Sequence, residues 1–340
     1  MEIYYLESST VYSFFFDPNI LFKEVMGTAS LTGAADELPV DKKTFRKISK
    51  GQKVSTGTQN KLRGFAQTNF GVDLGDSDSI WLEGERNILP HAQWKGFLSG
   101  VRHISDGREK SFFFDQIERL LDEDIKIFQH CMENKDSPES HQFFWSSDLA
   151  RQLLTPYGLK EIPAEEHHQT LRELGAWSLI FYFIGSCEIT LKQKHDVEIA
   201  NKSLVEDFLP SIVDGNIVWP IKKLTDFWTE TFAVSVNKLA EFMPAKDDLD
   251  SESKERKLDY WRSGKNEPDI DSEESLFDWL ESFCPDDKSI RQEFVRFQTV
   301  ILLQRFFNFL LKNKVEQEMS VKAFSIYKIH YQENFNRFSA

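Results

Sequence analysis

The chain has 340 residues, 40% of them hydrophobic with 30 Phe, and only 16 Gly and 11 Pro, a composition that excludes fibrous and low-complexity classes. At roughly 100–200 residues per domain, this length suggests two or three domains. A net charge of −14 weighs against nucleic-acid binding by the chain as a whole, because phosphate neutralisation needs Lys and Arg, so the distribution of the bases becomes the informative quantity.

Residues 1–16, rich in Tyr, Phe, Ser and Thr, read as an N-terminal arm or a short strand. Asp17-Pro18 has the chemistry of a helix start, and Ile20, Leu21, Val25 and Met26 give that helix an apolar face that Gly27 ends. Ser30 is placed to cap a helix over 31–38 whose inner face carries Leu31, Ala34, Ala35 and Leu38. Pro39-Val40 forms a turn. Asp41 is placed to cap a second helix over 42–49, with Phe45 and Ile48 inward and Lys42, Lys43, Arg46 and Lys47 outward. Gly51 suits the left-handed stop of that helix. A further helix over Thr58–Phe65 turns Leu62 and Phe65 inward. Residues 30–66 hold eight bases against three acids, a balance of +5, which leaves −19 for the remainder.

Ser30, Ala35, Leu38, Val40, Thr44, Ile48 and Gly51 stand in the register, without a gap, of the lambda-repressor-like family of DNA-binding domains, which includes the Cro/C1-type regulators. The segment from about 17 to 67 resembles that family, with Pro39 where a turn glycine is usual and Ala34 where Leu is usual. Val54-Ser55 and Thr58 are also similar to the third-helix entry of LacI-type regulators. The resemblance implies a helix-turn-helix whose second helix lies in the major groove of double-stranded DNA. By position, Lys42, Lys43, Arg46 and Lys47 would reach base edges, Arg and Lys being suited to guanine O6 and N7, and Ser30, Thr44 and Lys53 would hold phosphates. It also implies a dimer on two half-sites.

The acidic stretch at 73–79 marks a boundary between this 17–72 module and a helical body over 73–340, with a possible further division near 210–220. Helical periodicity runs through Phe112–Cys131, with Phe114, Ile117, Leu120, Leu121, Ile125 and Phe128 on one face, and through Leu171–Ile184, Leu224–Met243 and 289–312. The last carries two apolar stripes, which predicts burial on more than one side and a central position. Asp247–Glu255 reads as an exposed charged insertion. Ser235–Pro244 and Leu258–Gly264 repeat parts of the 30–51 pattern, so 235–283 is a possible degenerate second helix-turn-helix; with fifteen acids against five bases over 247–287, its face would suit protein rather than phosphate. Few segments alternate like strands, and the expected class is all-α.

Cys131, Cys187 and Cys284 lie far apart without a CxxC, so no structural zinc, no metal and no cofactor is expected. Met1–Tyr5 lacks the basic start of a signal peptide, and the most apolar stretch, Ala176–Ile184, is too short to span a bilayer; the expectation is a cytoplasmic chain with no membrane partner. Three polar groupings have the residue types of a catalytic site. Glu165-Glu166-His167-His168 places adjacent histidines on different helix faces. Asp122, Asp124 and Lys126 have the spacing of a nuclease carboxylate-x-Lys but sit on a helix. His103, Asp106 and Arg108 make one polar loop. None has the pattern of an enzyme site. The reading is a sequence-specific duplex-DNA binder and transcriptional regulator, dimerising or holding another protein through its helical body. The alternative is an adaptor or structural subunit of a phage, mobile-element or defence nucleoprotein assembly, using the module for protein or RNA contacts.

Overall fold

The computed structural model describes residues 13–18, 20–27, 40–41, 43–44, 47, 54–70, 91, 94–95, 97–98, 111–134, 137–157, 168–244, 250–268 and 272–340. The chain divides into two compact units, Met1–Leu179 and Ile180–Ala340, with the boundary inside a single helix. Among the described residues the protein is all-α apart from one two-stranded hairpin. The boundary expected at 73–79 lies outside the described residues, and residues 210–220 fall within the second unit.

In the first unit, Ser13–Phe16 is buried without regular structure, Pro18 is helical, and Ile20–Val25 forms one wide helical turn. Helix α1 spans Thr56–Phe70, α2 Phe112–Glu133, α3 Pro138–Ser146 and α4 Asp148–Leu154; α5, His168–Lys194, begins here. Pro138 stands in the first turn of α3 behind a Ser137 cap, and Ser147 caps α4, as these residue types favour. The unit is packed by aromatic rings. Phe15 and Phe16 meet the Trp94 ring edge-on at 5.4 and 6.0 Å, the Trp94 indole N–H donates to the Phe16 carbonyl (2.5 Å), and Phe22 stacks on Phe97 at 3.9 Å.

The inner stripe of α2 is rotated from the expected one. Phe113, Ile117, Leu120, Leu121, Asp124 and Ile127 are buried, whereas Phe114, Ile125 and Phe128 are half-buried. A carboxylate therefore occupies a core position that apolar periodicity passes over.

In the second unit, a short 3₁₀ turn at Glu206–Phe208 leads to strands β1, Ser211–Val213, and β2, Asn216–Val218, paired antiparallel with Ile212 opposite Ile217. Seven helices follow: α6 Pro220–Thr231, α7 Val236–Glu241, α8 Ser251–Arg262, α9 Glu273–Glu281, α10 Asp287–Lys312, α11 Gln317–Phe324 and α12 Tyr327–Ser339. Helix α10 is buried on more than one side from Glu293 to Leu310, consistent with its two apolar stripes, while Asp287, Lys288, Arg291 and Lys312 are exposed. Trp228 of α6 meets Trp279 of α9 edge-on at 5.4 Å and stacks on Phe297 of α10 at 5.7 Å.

Two expectations fail here. The helix expected over Leu224–Met243 is two helices, because Ala233 adopts a positive φ of 51° and Ser235 caps a new start by accepting from the Lys238 N–H. The acidic run is not wholly an insertion: Asp250 accepts from the Ser253 N–H (2.8 Å) and starts α8, so 251–255 is helical. Helix α8 stops at Gly264, whose φ of +67° suits an achiral residue and where a Cβ would lie 2.5 Å from the Trp219 ring.

Gln304 of α10, fully buried, joins two helix ends. Its Oε1 accepts from the Ile221 N–H in the first turn of α6 (3.0 Å), and its Nε2 donates to the Trp261 carbonyl in the last turn of α8 (2.7 Å). Both groups are among those a helix end leaves without an intrahelical partner.

Candidate nucleic-acid interface

The described part of the 30–66 module begins at Val40-Asp41. Asp41 Oδ1 accepts from the N–H groups of Lys43 and Thr44, both at 2.9 Å, and Oδ2 accepts from the Thr44 hydroxyl at 2.8 Å. That is the geometry of an N-cap. The N–H and hydroxyl of Thr44 hold the Asp41 carboxyl below its usual range. Lys43, Thr44 and Lys47 are helical, and Lys43 and Lys47 are exposed. Four residues apart, they share one helix face. Thr44 has its hydroxyl proton committed to Asp41, which leaves oxygen lone pairs rather than a free donor. Ser30, Lys42, Arg46 and Lys53 lie outside the described residues, as do the inward Phe45 and Ile48.

The following helix starts earlier and runs longer than Thr58–Phe65. Ser55 caps it, its hydroxyl accepting from the Thr58 N–H (3.3 Å), and Gln59 turns back to the Val54 carbonyl (3.1 Å). Val54, Gln59 and Leu62 are buried, Phe65 is half-buried and Lys61 is exposed.

Among the polar groupings of catalytic residue types, Asp122 and Lys126 are exposed while Asp124 is fully buried, so the three do not share a site. His103, Asp106, Arg108 and Glu165–His167 lie outside the described residues, as does the side chain of His168. Among the described residues no group of three or more His, Cys, Asp or Glu is placed to hold a metal ion.

Two buried polar clusters escaped sequence reasoning. In the first unit, Asp124 Oδ2 accepts from the Ser13 hydroxyl (2.6 Å) and lies 2.5 Å from His91 Nε2, while Oδ1 accepts from the Phe14 N–H (2.8 Å). The trio has the composition of a nucleophilic triad but not its order. Ser13 Oγ also lies 3.2 Å from His91 Nε2, so hydroxyl and carboxylate crowd one ring nitrogen, whereas activation of a serine needs them on opposite nitrogens of the imidazole; Ser13, His91 and Asp124 are all buried. The arrangement clasps the 13–16 segment to α2. In the second unit, Glu188 of α5 accepts from Lys192 (2.8 Å), the Ser203 hydroxyl (2.5 Å), the Leu204 N–H (2.8 Å) and the Tyr327 hydroxyl (2.7 Å). Lys192 also donates to the Tyr331 hydroxyl (2.6 Å). Burial and the Glu188 charge push both tyrosines well above the ordinary phenol value. The one sequence signal for this cluster is Glu188 and Lys192 at an i, i+4 spacing beside the most apolar run of the chain; nothing local marks Ser13 and His91 as partners of Asp124.

Two helices, Glu173–Lys194 and Asp287–Lys312, are long and apolar enough to cross a membrane by length and composition, but 83% and 78% of their apolar windows are buried inside the protein, as in core helices. The first is longer than the sequence reading of Ala176–Ile184 allowed. No protein-family model, curated protein or solved structure matches this chain.

Proposed function

We propose that the 30–66 segment binds double-stranded DNA and that the protein acts as a sequence-specific transcriptional regulator. The observation that carries this reading is the Asp41-capped helix start, which holds Lys43 and Lys47 exposed on one face. A helix presenting bases near its N-terminus is what major-groove readout requires. In this reading Lys42, Lys43, Arg46 and Lys47 address base edges and Ser30 and Lys53 lie against the backbone, while Thr44, whose donors both go to Asp41, serves the cap rather than a phosphate. The net −19 of the remaining chain opposes duplex approach in other poses, so specific docking is favoured over general adhesion. Two copies on half-sites about one helical turn apart would supply the affinity that a single small module lacks.

Selection of bound sequences from a random duplex pool tests this directly. A sharp, twofold-symmetric motif is expected. A pool without enrichment sinks the regulator and favours the adaptor reading, in which the same basic face meets protein or RNA.

A further inference from the structure

The face that α12 turns toward α5 is polar. Tyr327, His330, Tyr331 and Asn334, at helical spacing, are each fully buried. Three of them are tied down. The Tyr327 hydroxyl donates to Glu188, the Tyr331 hydroxyl accepts from Lys192, and Asn334 accepts from the Ser186 hydroxyl (2.5 Å) while donating to the Tyr182 carbonyl (2.9 Å). The two helices approach so closely that a Cβ on Gly185 would lie 3.2 Å from the Tyr331 Cα. His330 differs from its neighbours: neither ring nitrogen has a hydrogen-bond partner, and its ring lies 6.2 Å from the Tyr182 ring, nearly edge-on. A buried imidazole without a carboxylate or carbonyl to receive its protons is tolerated only in the neutral form.

We propose that α12 is an acid-released latch, in which protonation of His330 undocks α12 from α5 while the rest of the second unit stays folded. The titratable groups around it do not supply a counter-charge. On α5 the ring meets Tyr182, and the charges that helix sends to the neighbouring Tyr327 and Tyr331, Glu188 and Lys192, are paired with each other at 2.8 Å. On the segment after α5, Glu206 lies 3.5 Å from Lys328 of α12, and α12 itself carries Tyr327, Tyr331 and Glu333. Burial of the ring, with neither nitrogen partnered, lowers it from 6.5 to about 3. The undocked state therefore binds a proton more readily than the docked one, and its population rises about tenfold per pH unit below the ordinary imidazole value. Release is local because the α12 face that separates is hydroxyl, amide and imidazole, groups that water satisfies.

Hydrogen exchange of the full chain at pH 7.5 and 5.5, corrected for intrinsic rates, reads the latch. Opening of α12 is expected to rise about tenfold at the lower pH, with α6 unchanged, and His330→Phe is expected to abolish the rise. Equal increases in α12 and α6, an α12 indifferent to pH, or an undiminished rise in the variant each overturn the proposal. Should His330→Phe not fold, the wild-type imidazole is followed by NMR. A ring that stays neutral wherever α12 is docked supports the latch, and a ring that titrates near 6.5 with α12 still protected defeats it.

Discussion

Asp41 makes three hydrogen bonds to two residues, and each depends on the ionised, acceptor-only carboxylate. Its lowered carboxyl fixes the sign of the pH effect. The cap contributes above the ordinary carboxylate value of 3.8 and is lost as pH falls through the lowered folded value. Asp41→Ala is expected to speed amide exchange at Lys43 and Thr44 at neutral pH, whereas Asp41→Asn keeps an acceptor and removes the pH dependence. Unaltered exchange in the alanine variant would mean that the cap does not hold this turn. At Gly264 the constraint is steric as well as conformational. Gly264→Ala meets both the positive φ and the Trp219 ring, and a loss of about 1–3 kcal/mol in urea unfolding is expected. A neutral result there would show that Trp219 moves aside.

Gln304 acts between elements. Gln304→Leu leaves the Ile221 N–H without its side-chain partner inside the second unit and takes one of two donors from the Trp261 carbonyl, which keeps the Gly264 N–H (3.2 Å); leaving a buried donor unmet costs about 1–3 kcal/mol. The measurement is the urea midpoint at an unchanged m-value. The Glu188–Lys192 pair predicts an asymmetry. Glu188 has four donors around it and Lys192 has two acceptors. Glu188→Leu strands a buried ammonium and three further donors, and should reach the roughly 3–5 kcal/mol typical of a broken buried pair. Lys192→Met leaves Glu188 with three of its donors and should cost less. Equal losses, or the reverse order, would show that the carboxylate is not the hub of the cluster.

For the whole molecule the decisive quantity is how charge is partitioned. A module at +5 in a chain of −14 gives a salt-dependent contact confined to one region. If Lys43 and Lys47 each displace one counterion, Lys43→Ala with Lys47→Ala lowers the slope of log affinity against log salt by about two. A direct base contact from Lys43 adds about 1–3 kcal/mol of lost discrimination. Fluorescence titration across a salt series separates the two, and an unchanged slope together with unchanged discrimination takes these lysines out of the interface. Much of the helical scaffold was legible at this scale. The Asp41 cap is local chemistry, and α2 and α10 carry long apolar patterns at helical spacing, whereas the helix starts at Ser235 and Asp250 were passed over. The break at Ala233 was not legible, because a positive φ in alanine is imposed by its surroundings rather than by preference. Nor was the place of Asp124, a carboxylate on the buried face of α2.

By itself the sequence determined the helical class, the position of the long central helix, and the clustering of bases in a chain that is otherwise acidic. These follow from side-chain periodicity, capping preference and charge, all of which act over a few residues. Tertiary structure alone decided that Ser13, His91 and Asp124 meet around a carboxylate, that Glu188 and Lys192 are closed over by Tyr327 and Tyr331, and that Gln304 joins α6 to α8. The partners in these clusters stand up to more than a hundred positions apart along the chain. Their pairing is fixed by which helix faces are pressed together and must leave no buried polar group unmet, a condition that no local stretch of sequence expresses. His330 is the fully buried side chain of α12 that falls outside that condition, and its neutrality is a property of the packed interior rather than of the residue.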